Sequence, residues 1–144
     1  MAIVVAGVLM QMTVTGLRSL DRQQRAERLA RGVLWEVTVA RSYAIRAAVP
    51  MALVANSANR TLIVRDGFGT VYRTLHFGST TAFAATALVI NTAGDSLAFS
   101  SRGLCLNCSA SGSTTITTRT PGWKSMTMKV GVLGRAALVG LSRT

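Results

Sequence analysis

Residues 17–50 contain the pattern that decides the fold, and they read LRSLDRQQRAERLARGVLWEVTVARSYAIRAAVP. Apolar residues recur here every three or four positions, with arginine-rich positions between them: Leu17, Leu20, Leu29, Ala30, Val33, Leu34, Val37, Ala40, Ala44 and Ala47. This spacing places the apolar side chains on one face of an α-helix. Pro50 ends the pattern, because proline lacks an N–H and disfavours a helical residue before it.

The stretch before this pattern is apolar. Residues 1–10 are wholly apolar, Gln11, Thr13 and Thr15 dilute the run, and Arg18 is the first charged residue. The run is shorter than the roughly 20 residues that span a bilayer. It also lacks the basic start and the small-residue cleavage site of a secretory signal. We interpret it as the second half of a membrane helix that continues into the amphipathic stretch, giving one helix of about 45 residues and roughly 70 Å.

After Pro50 the pattern changes to short runs of Val, Ile, Thr and aromatic residues, separated by Asn, Gly, Asp and Ser. Such runs predict strands. We expect strands at 51–55, 61–65, 70–77, 97–100, 103–106, 114–118, 125–130 and 135–139. Alternation over 71–77 and over 126–130 predicts that each of these strands buries one face. Turns are expected at 66–67 and 101–103.

The expected fold class is therefore α+β, with a long N-terminal helix packed on an antiparallel β-sheet domain. The inner face of the sheet needs a cover, and residues 29–47 of the helix are the obvious one. A chain of 144 residues is enough for one such domain. We divide it into residues 1–24, a partial membrane or filament-core helix, and residues 25–144, the second half of the helix with the β-sheets.

The chain is strongly basic. It has 16 Lys and Arg against 5 Asp and Glu, a net charge of +11, and the excess extends along the whole chain. Such a surface attracts polyanions. A simply solvated arginine-rich surface and an anionic partner are equally compatible with this composition.

No set of residues indicates an enzyme. His76 is the only histidine, it stands in an apolar and aromatic strand, and no acidic residue lies near it in sequence. Asp66 and Asp95 adjoin glycines, as turn residues do. Phosphate-binding glycine motifs and paired carboxylates are absent from the sequence. We expect no catalytic residue, cofactor or metal, and we expect Trp35 and Trp123 to pack in the core or at its edge.

Cys105 and Cys108 are the only cysteines. Two cysteines and one histidine make a zinc site improbable. The sequence around them indicates a strand that enters a Ser- and Gly-rich turn, whereas a redox-active pair lies at a helix N-terminus. A structural disulfide and two free thiols both remain open, and thiol redox chemistry is disfavoured.

Four stretches of the sequence resemble segments of one protein family. They are ARSYAIRAAVPMAL (40–53), LAFSSRG (97–103), KVGVLGRA (129–136) and MAIVVAGVL (1–9). The first is similar to the helix end and first strand of the GspH/FimT pseudopilins, and the next two are similar to an apolar strand with a turn glycine and to the last hairpin of that family. The fourth resembles the latter part of the type IV pilin membrane helix. All four occur in the family's order.

The resemblance implies a minor pilin or pseudopilin of a type II secretion system or a type IV pilus. Such a subunit packs its apolar helix against those of neighbouring pilins, is held in the inner membrane and displays its β domain in the periplasm. The peptidase site and methylated N-terminus of this class would then lie upstream of Met1. In that arrangement five arginines, at positions 18, 22, 25, 28 and 31, would lie near the membrane surface or face acidic residues of adjacent subunits.

A DNA-binding pilin for the uptake of transforming DNA is the alternative. DNA-binding FimT members are associated with a G-R-x-R motif in the last hairpin, whereas this chain has Gly134-Arg135-Ala136-Ala137. The second arginine of the motif is therefore missing. The candidate phosphate-binding residues are the bases of the last third of the chain: Arg119, Lys124, Lys129, Arg135 and Arg143.

Overall fold

The computed structural model of the chain describes residues 2–78, 85–111, 114–122 and 125–142. Within these ranges, side chains are described from Arg18 onward, except at positions 19, 141 and 142. Trp123, Lys124 and Arg143, which the sequence singled out, lie outside the described residues.

One helix, α1 (Ala2–Ala47), runs for 46 residues without interruption. It ends where Ala48 takes a left-handed backbone conformation, with φ of 53°, just before Val49 and Pro50. The predicted long helix and its end near Pro50 are confirmed. Among the described residues, no helix has the length of apolar sequence that a bilayer crossing requires.

A narrow apolar stripe on the second half of α1 is fully buried: Ala26, Leu29, Ala30, Val33, Val37, Ala40 and Ala44. Four of these seven residues are alanines, so the helix backbone approaches the sheets closely. The prediction that this half of the helix covers the sheets is confirmed. Leu20 and Ala47, towards the two ends of the predicted stripe, are exposed, and the side chain of Leu17 lies outside the described residues.

The β domain consists of two four-stranded antiparallel sheets. The strands are β1 (Met51–Asn56), β2 (Thr61–Asp66), β3 (Val71–His76), β4 (Ala87–Ile90), β5 (Ser96–Phe99), β6 (Thr115–Arg119), β7 (Ser125–Val130) and β8 (Ala136–Ser142). The first sheet has the order β3-β2-β1-β5, and the second has the order β4-β6-β7-β8. The core lies between these sheets and the stripe of α1.

Two strand predictions are wrong. The sequence did not predict β4, whose four residues give too short a run for alternation to be visible. Residues 103–106 form no strand, because Cys105 makes only an isolated bridge to Phe99 before the chain turns away. The turns at 66–67 and 101–103 are confirmed: Gly69 donates to the Asp66 carbonyl, and Gly103 donates to the Ser100 carbonyl.

The expected burial holds for β7 but not for β3. Met126, Met128 and Val130 point into the core, as the alternation predicts. Val71 is instead 54% exposed, because β3 is the edge strand of its sheet. Only Phe77, one residue beyond the strand, is fully buried in this stretch.

The helix also presents a different residue to the domain than expected. Trp35 is 61% exposed and packs neither in the core nor at its edge, whereas its neighbour Glu36 is only 2% exposed. Arg73 of β3 reaches Glu36, with Nε 2.8 Å from Oε1. A buried carboxylate needs such a partner, so this ion pair fixes the edge strand to the helix.

Asp66 organises the turn between β2 and β3. Its Oδ1 accepts hydrogen bonds from the Phe68 and Thr70 amides at 2.9 and 2.8 Å. Burial raises the pKa of the Asp66 carboxyl, but the hydrogen bonds from Thr70, Phe68 and Tyr72 favour the charged form and bring the pKa below its usual value.

The buried stripe gives a direct test of the packing. Val33→Asp or Val37→Asp places an unpaired carboxylate in the core, so we expect each to lower the free energy of unfolding of residues 25–144 by about 3–5 kcal/mol. Thr38→Asp, on the exposed face of the same helix, is the control, with an expected change within about 0.5 kcal/mol. Urea unfolding measures all three, and equal stability of the Val33 and Thr38 variants would contradict the packing face.

Candidate functional site

Three of the stretches that carry the family resemblance meet at one place, which we call the arginine–glycine junction (Arg41, Ile45, Gly103 and Gly134). Arg41 Nε donates a hydrogen bond to the Gly103 carbonyl at 3.1 Å. A Cβ on Gly103 would lie 2.7 Å from Ile45 Cδ1. A Cβ on Gly134 would lie 2.5 Å from the Gly103 carbonyl oxygen and 3.1 Å from Arg41 Cδ.

Both glycines are required for this contact. Gly103 and Gly134 are buried and have φ of 76° and 68°, a region that residues with a side chain rarely occupy. The junction thus joins the last turns of α1 to the turn after β5 and to the turn between β7 and β8. Sequence reasoning identified both turns, but it did not find that Arg41 connects them, because that contact is between residues 62 positions apart.

The cysteine loop follows directly after this junction. Cys105 and Cys108 are joined by a disulfide, with their Cα atoms 5.4 Å apart. The Cys105 amide donates to the Val132 carbonyl at 2.9 Å. The Asn107 side chain accepts from the Ala98 amide and donates to the Ser96 carbonyl, both at 2.8 Å. The loop therefore lies along the outer edge of β5 and contacts the last hairpin.

Exposed apolar side chains lie beside this loop and in the hairpin turn that it contacts, and we call them the apolar tip. It consists of Leu104, Leu106, Val132 and Leu133. Sequence reasoning did not find it, although the runs that contain these residues were identified. Grouped exposed apolar side chains are typical of interaction surfaces.

Part of the predicted basic set lies on one surface, the outward face of the second sheet. Lys129 is exposed and pairs with Thr115, and Arg135 is exposed at the end of the same hairpin, where its carbonyl accepts from the Gly131 amide. Arg119 shares this face but stands four residues along β6 from Thr115, or about 13 Å away. The structure thus brings Lys129 and Arg135 together and separates them from Arg119.

Within the described ranges, no group of three or more His, Cys, Asp or Glu residues is arranged to hold a metal ion. His76 is exposed at the end of β3, where it pairs with Thr61.

No protein-family model matches the chain, and no curated protein matches it significantly. Solved structures do match. A crystal structure of the type IV minor pilin FimU of Pseudomonas aeruginosa (strain PAO1) aligns with a TM-score of 0.57, covering 85% of this chain and 91% of the FimU chain in that structure. The chain has a type IV pilin-like fold. A second FimU crystal form aligns with a TM-score of 0.56, covering 82% of this chain and 92% of FimU, and the sequence identities are 19% and 17%.

The long helix packed on an antiparallel sheet domain, which the sequence predicted, is thus the arrangement of a known pilin. In this pilin-like fold, the arginine–glycine junction lies at the last turns of the helix. The apolar tip is next to it, and the basic face lies on the second sheet.

The junction predicts a difference between two glycines with similar backbone conformations. Gly134→Ala adds a Cβ that collides with the Gly103 carbonyl, whereas a Cβ on Gly94, with φ of 73°, meets no atom within 4 Å. We expect Gly94→Ala to cost about 1–2 kcal/mol of unfolding free energy from backbone strain alone, and Gly134→Ala to cost at least about 2 kcal/mol more. Urea unfolding compares them, and equal losses would contradict the close contact.

Proposed function

We propose that the chain is a minor pilin or pseudopilin of the GspH/FimT type, a non-enzymatic subunit of a type II secretion or type IV pilus fibre. One observation carries the proposal. The helix is 46 residues long, yet its first buried side chain among those described is Ala26. The 24 residues from Ala2 to Arg25 would extend about 36 Å, and the exposed Leu20 lies in this part. A helix with an apolar start, and with exposed residues such as Arg18 and Leu20 ahead of its first described buried side chain, suits packing against the helices of other subunits.

A cellular location for the protein follows from this proposed role. The uncharged run at 1–17 would hold the subunit in the inner membrane before assembly, and residues 25–144 would form the periplasmic domain. The four segments that resemble the family, in the family's order, would then reflect a common mode of assembly. The arginine–glycine junction would keep the domain fixed on its helix.

Site-specific photo-crosslinking tests the assembly role. A benzophenone side chain is introduced at the exposed Leu20 of α1, and at Asn59, in the exposed turn between β1 and β2, as the matched control. We expect the Leu20 position to crosslink to identified pilin or pseudopilin subunits in cells that assemble the fibre, and to do so more than Asn59. The products are identified by mass spectrometry. Absence of pilin subunits among the Leu20 products would contradict the proposal.

The periplasmic location also predicts the state of the cysteines. Protein isolated from the periplasmic side without reductant and then unfolded should show no free thiol, because Cys105 and Cys108 are joined. Titration with a chromogenic disulfide reagent measures this, with the reduced protein as the control that must show two thiols. Two free thiols in the non-reduced sample would remove the disulfide.

DNA binding is a second candidate function, and the shared outward face of Lys129 and Arg135 favours it. Phosphate contacts require basic side chains that converge on one surface. With the second arginine of the G-R-x-R motif missing, only a few contacts are available, so we expect binding in the micromolar range or weaker, without sequence preference.

DNA binding is measured on residues 25–144, which retain every buried residue of the helix that the structure describes. Affinity for duplex DNA should fall steeply with salt, because each neutralised phosphate releases counterions. Arg135→Ala should lower the slope of log affinity against log salt by about one unit. Arg65→Ala, an exposed arginine on the first sheet, is the control and should leave the slope unchanged. Mobility-shift titrations at several salt concentrations measure it, and equal slopes for the two variants would exclude this face.

A further inference from the structure

A basic cavity of about 320 Å³ lies between the helix and the turn that follows β6. Among the described residues, the helix contributes Arg18, Asp21, Arg22 and Arg25 to its lining, and the turn contributes Thr120, Pro121 and Gly122. The helix residues are spaced by three or four positions, so they share one face. This is the point at which the part of α1 before Ala26 reaches its own domain.

The turn fits closely around one guanidinium group. Gly122 has φ of 67°, and a Cβ there would lie 3.2 Å from Arg22 Nη1. Any other residue would therefore crowd the arginine. The Arg22 guanidinium group therefore lies against the turn at the edge of the cavity.

Thr120 is an independent sign that a ligand belongs here. The residue is only 7% exposed, and its Oγ1 is buried without a hydrogen-bond partner. Buried hydroxyls nearly always have a partner, and those that do not call for an explanation. Thr120 also lines the cavity, so its hydroxyl lies at the wall of the site and is a candidate donor to an occupant.

The charges in the cavity are incompletely balanced. Asp21 pairs with Arg25 at 2.6 Å. In the described part of the chain, Arg18 and Arg22 have no ion pair or hydrogen bond. The carboxylate in the described lining, Asp21, is thus paired with Arg25, while two guanidinium groups and the Thr120 hydroxyl have no partner, a combination that suits an anion with several oxygens. Guanidinium groups bind phosphate oxygens in a bidentate manner.

We propose that this cavity binds a phosphate group, and specifically the headgroup phosphate of an anionic phospholipid. Residues 1–17 contain no charged residue, and Arg18 follows them directly. The helix from Arg18 to Arg25 rises about 10 Å, comparable to the headgroup layer beside the hydrocarbon core. The lipid source rests on the membrane placement proposed above, whereas the phosphate site rests on the cavity alone.

The test uses the full chain in micelles of an uncharged detergent, titrated calorimetrically at constant ionic strength. The ligands are dioctanoyl phosphatidylglycerol, dioctanoyl phosphatidylcholine and inorganic phosphate. We expect phosphatidylglycerol to bind more tightly than either of the others. Arg22→Gln should weaken its binding roughly tenfold, the usual effect of losing a charge-assisted hydrogen bond. The matched control is Arg28→Gln: Arg28 is exposed, bonds only Gln24 and lies outside the cavity, so its loss should change affinity little.

Thr120→Val separates a ligand contact from a structural role. Valine keeps the shape but removes the unpartnered hydroxyl, so the variant should melt at a higher temperature without lipid and bind phosphatidylglycerol several-fold more weakly. A higher melting temperature with unchanged affinity would remove Thr120 from the site and overturn the proposal as argued.

Other outcomes are equally decisive. Equal losses in Arg22→Gln and Arg28→Gln would show diffuse charge attraction and overturn the cavity as a site. Inorganic phosphate binding as tightly as phosphatidylglycerol would overturn the lipid source. A fibre-assembly defect in Arg22→Gln with unchanged lipid binding would overturn the proposal in favour of a carboxylate on a neighbouring subunit. Lipid binding that persists although Leu20 crosslinks to no pilin would leave the cavity site standing and contradict the assembly role alone.

Discussion

Burial of the alanine-rich stripe of α1 is the contact on which the rest of the domain depends. The two sheets are separate, and α1 contacts strands of both, including β1 in the first sheet and β7 in the second. The helix is therefore their common layer. Small residues such as Ala30 and Ala40 allow it to lie close to both sheets, and the arginine–glycine junction secures its end where a longer side chain at Gly134 would push the turns apart. Contacts further out, such as the Arg73–Glu36 ion pair, then place the edge strand relative to this layer.

Much of this fold follows from local patterns. The 3.6-residue period located the stripe, Pro50 located the helix end, and alternation located the inward face of β7, since each of these signals is contained within a few residues. The period identifies the centre of a stripe but not its width, so it did not distinguish Glu36, which is buried, from Trp35, which is exposed. Apolar and polar residues do alternate in β3, but β3 is an edge strand. Too few neighbouring residues cover it for both of its ends to be buried.

The candidate sites were less accessible to such reasoning, because they arise where distant segments meet. Turn glycines could be recognised at Gly103 and Gly134, yet only the folded chain shows that their backbones touch. Lys129 and Arg135 are close in sequence and also lie close together in the structure, whereas Arg119 lies at the far end of the neighbouring strand β6. The cavity beside Arg22 joins a helix residue to a turn a hundred positions later, and no periodic signal connects the two.

The loop closed by Cys105 and Cys108 has a consequence for how copies of this chain behave at high concentration. β5 is an edge strand of the first sheet, and an uncovered edge is a template on which another chain can add a strand. Here the Leu106 amide donates to the Ala98 carbonyl, and the Asn107 side chain serves the Ala98 amide and the Ser96 carbonyl. The edge is thus occupied by the chain's own loop. Neighbouring copies can then contact this edge through side chains but cannot add a strand to the sheet. Such lateral contacts stay reversible and do not start aggregation.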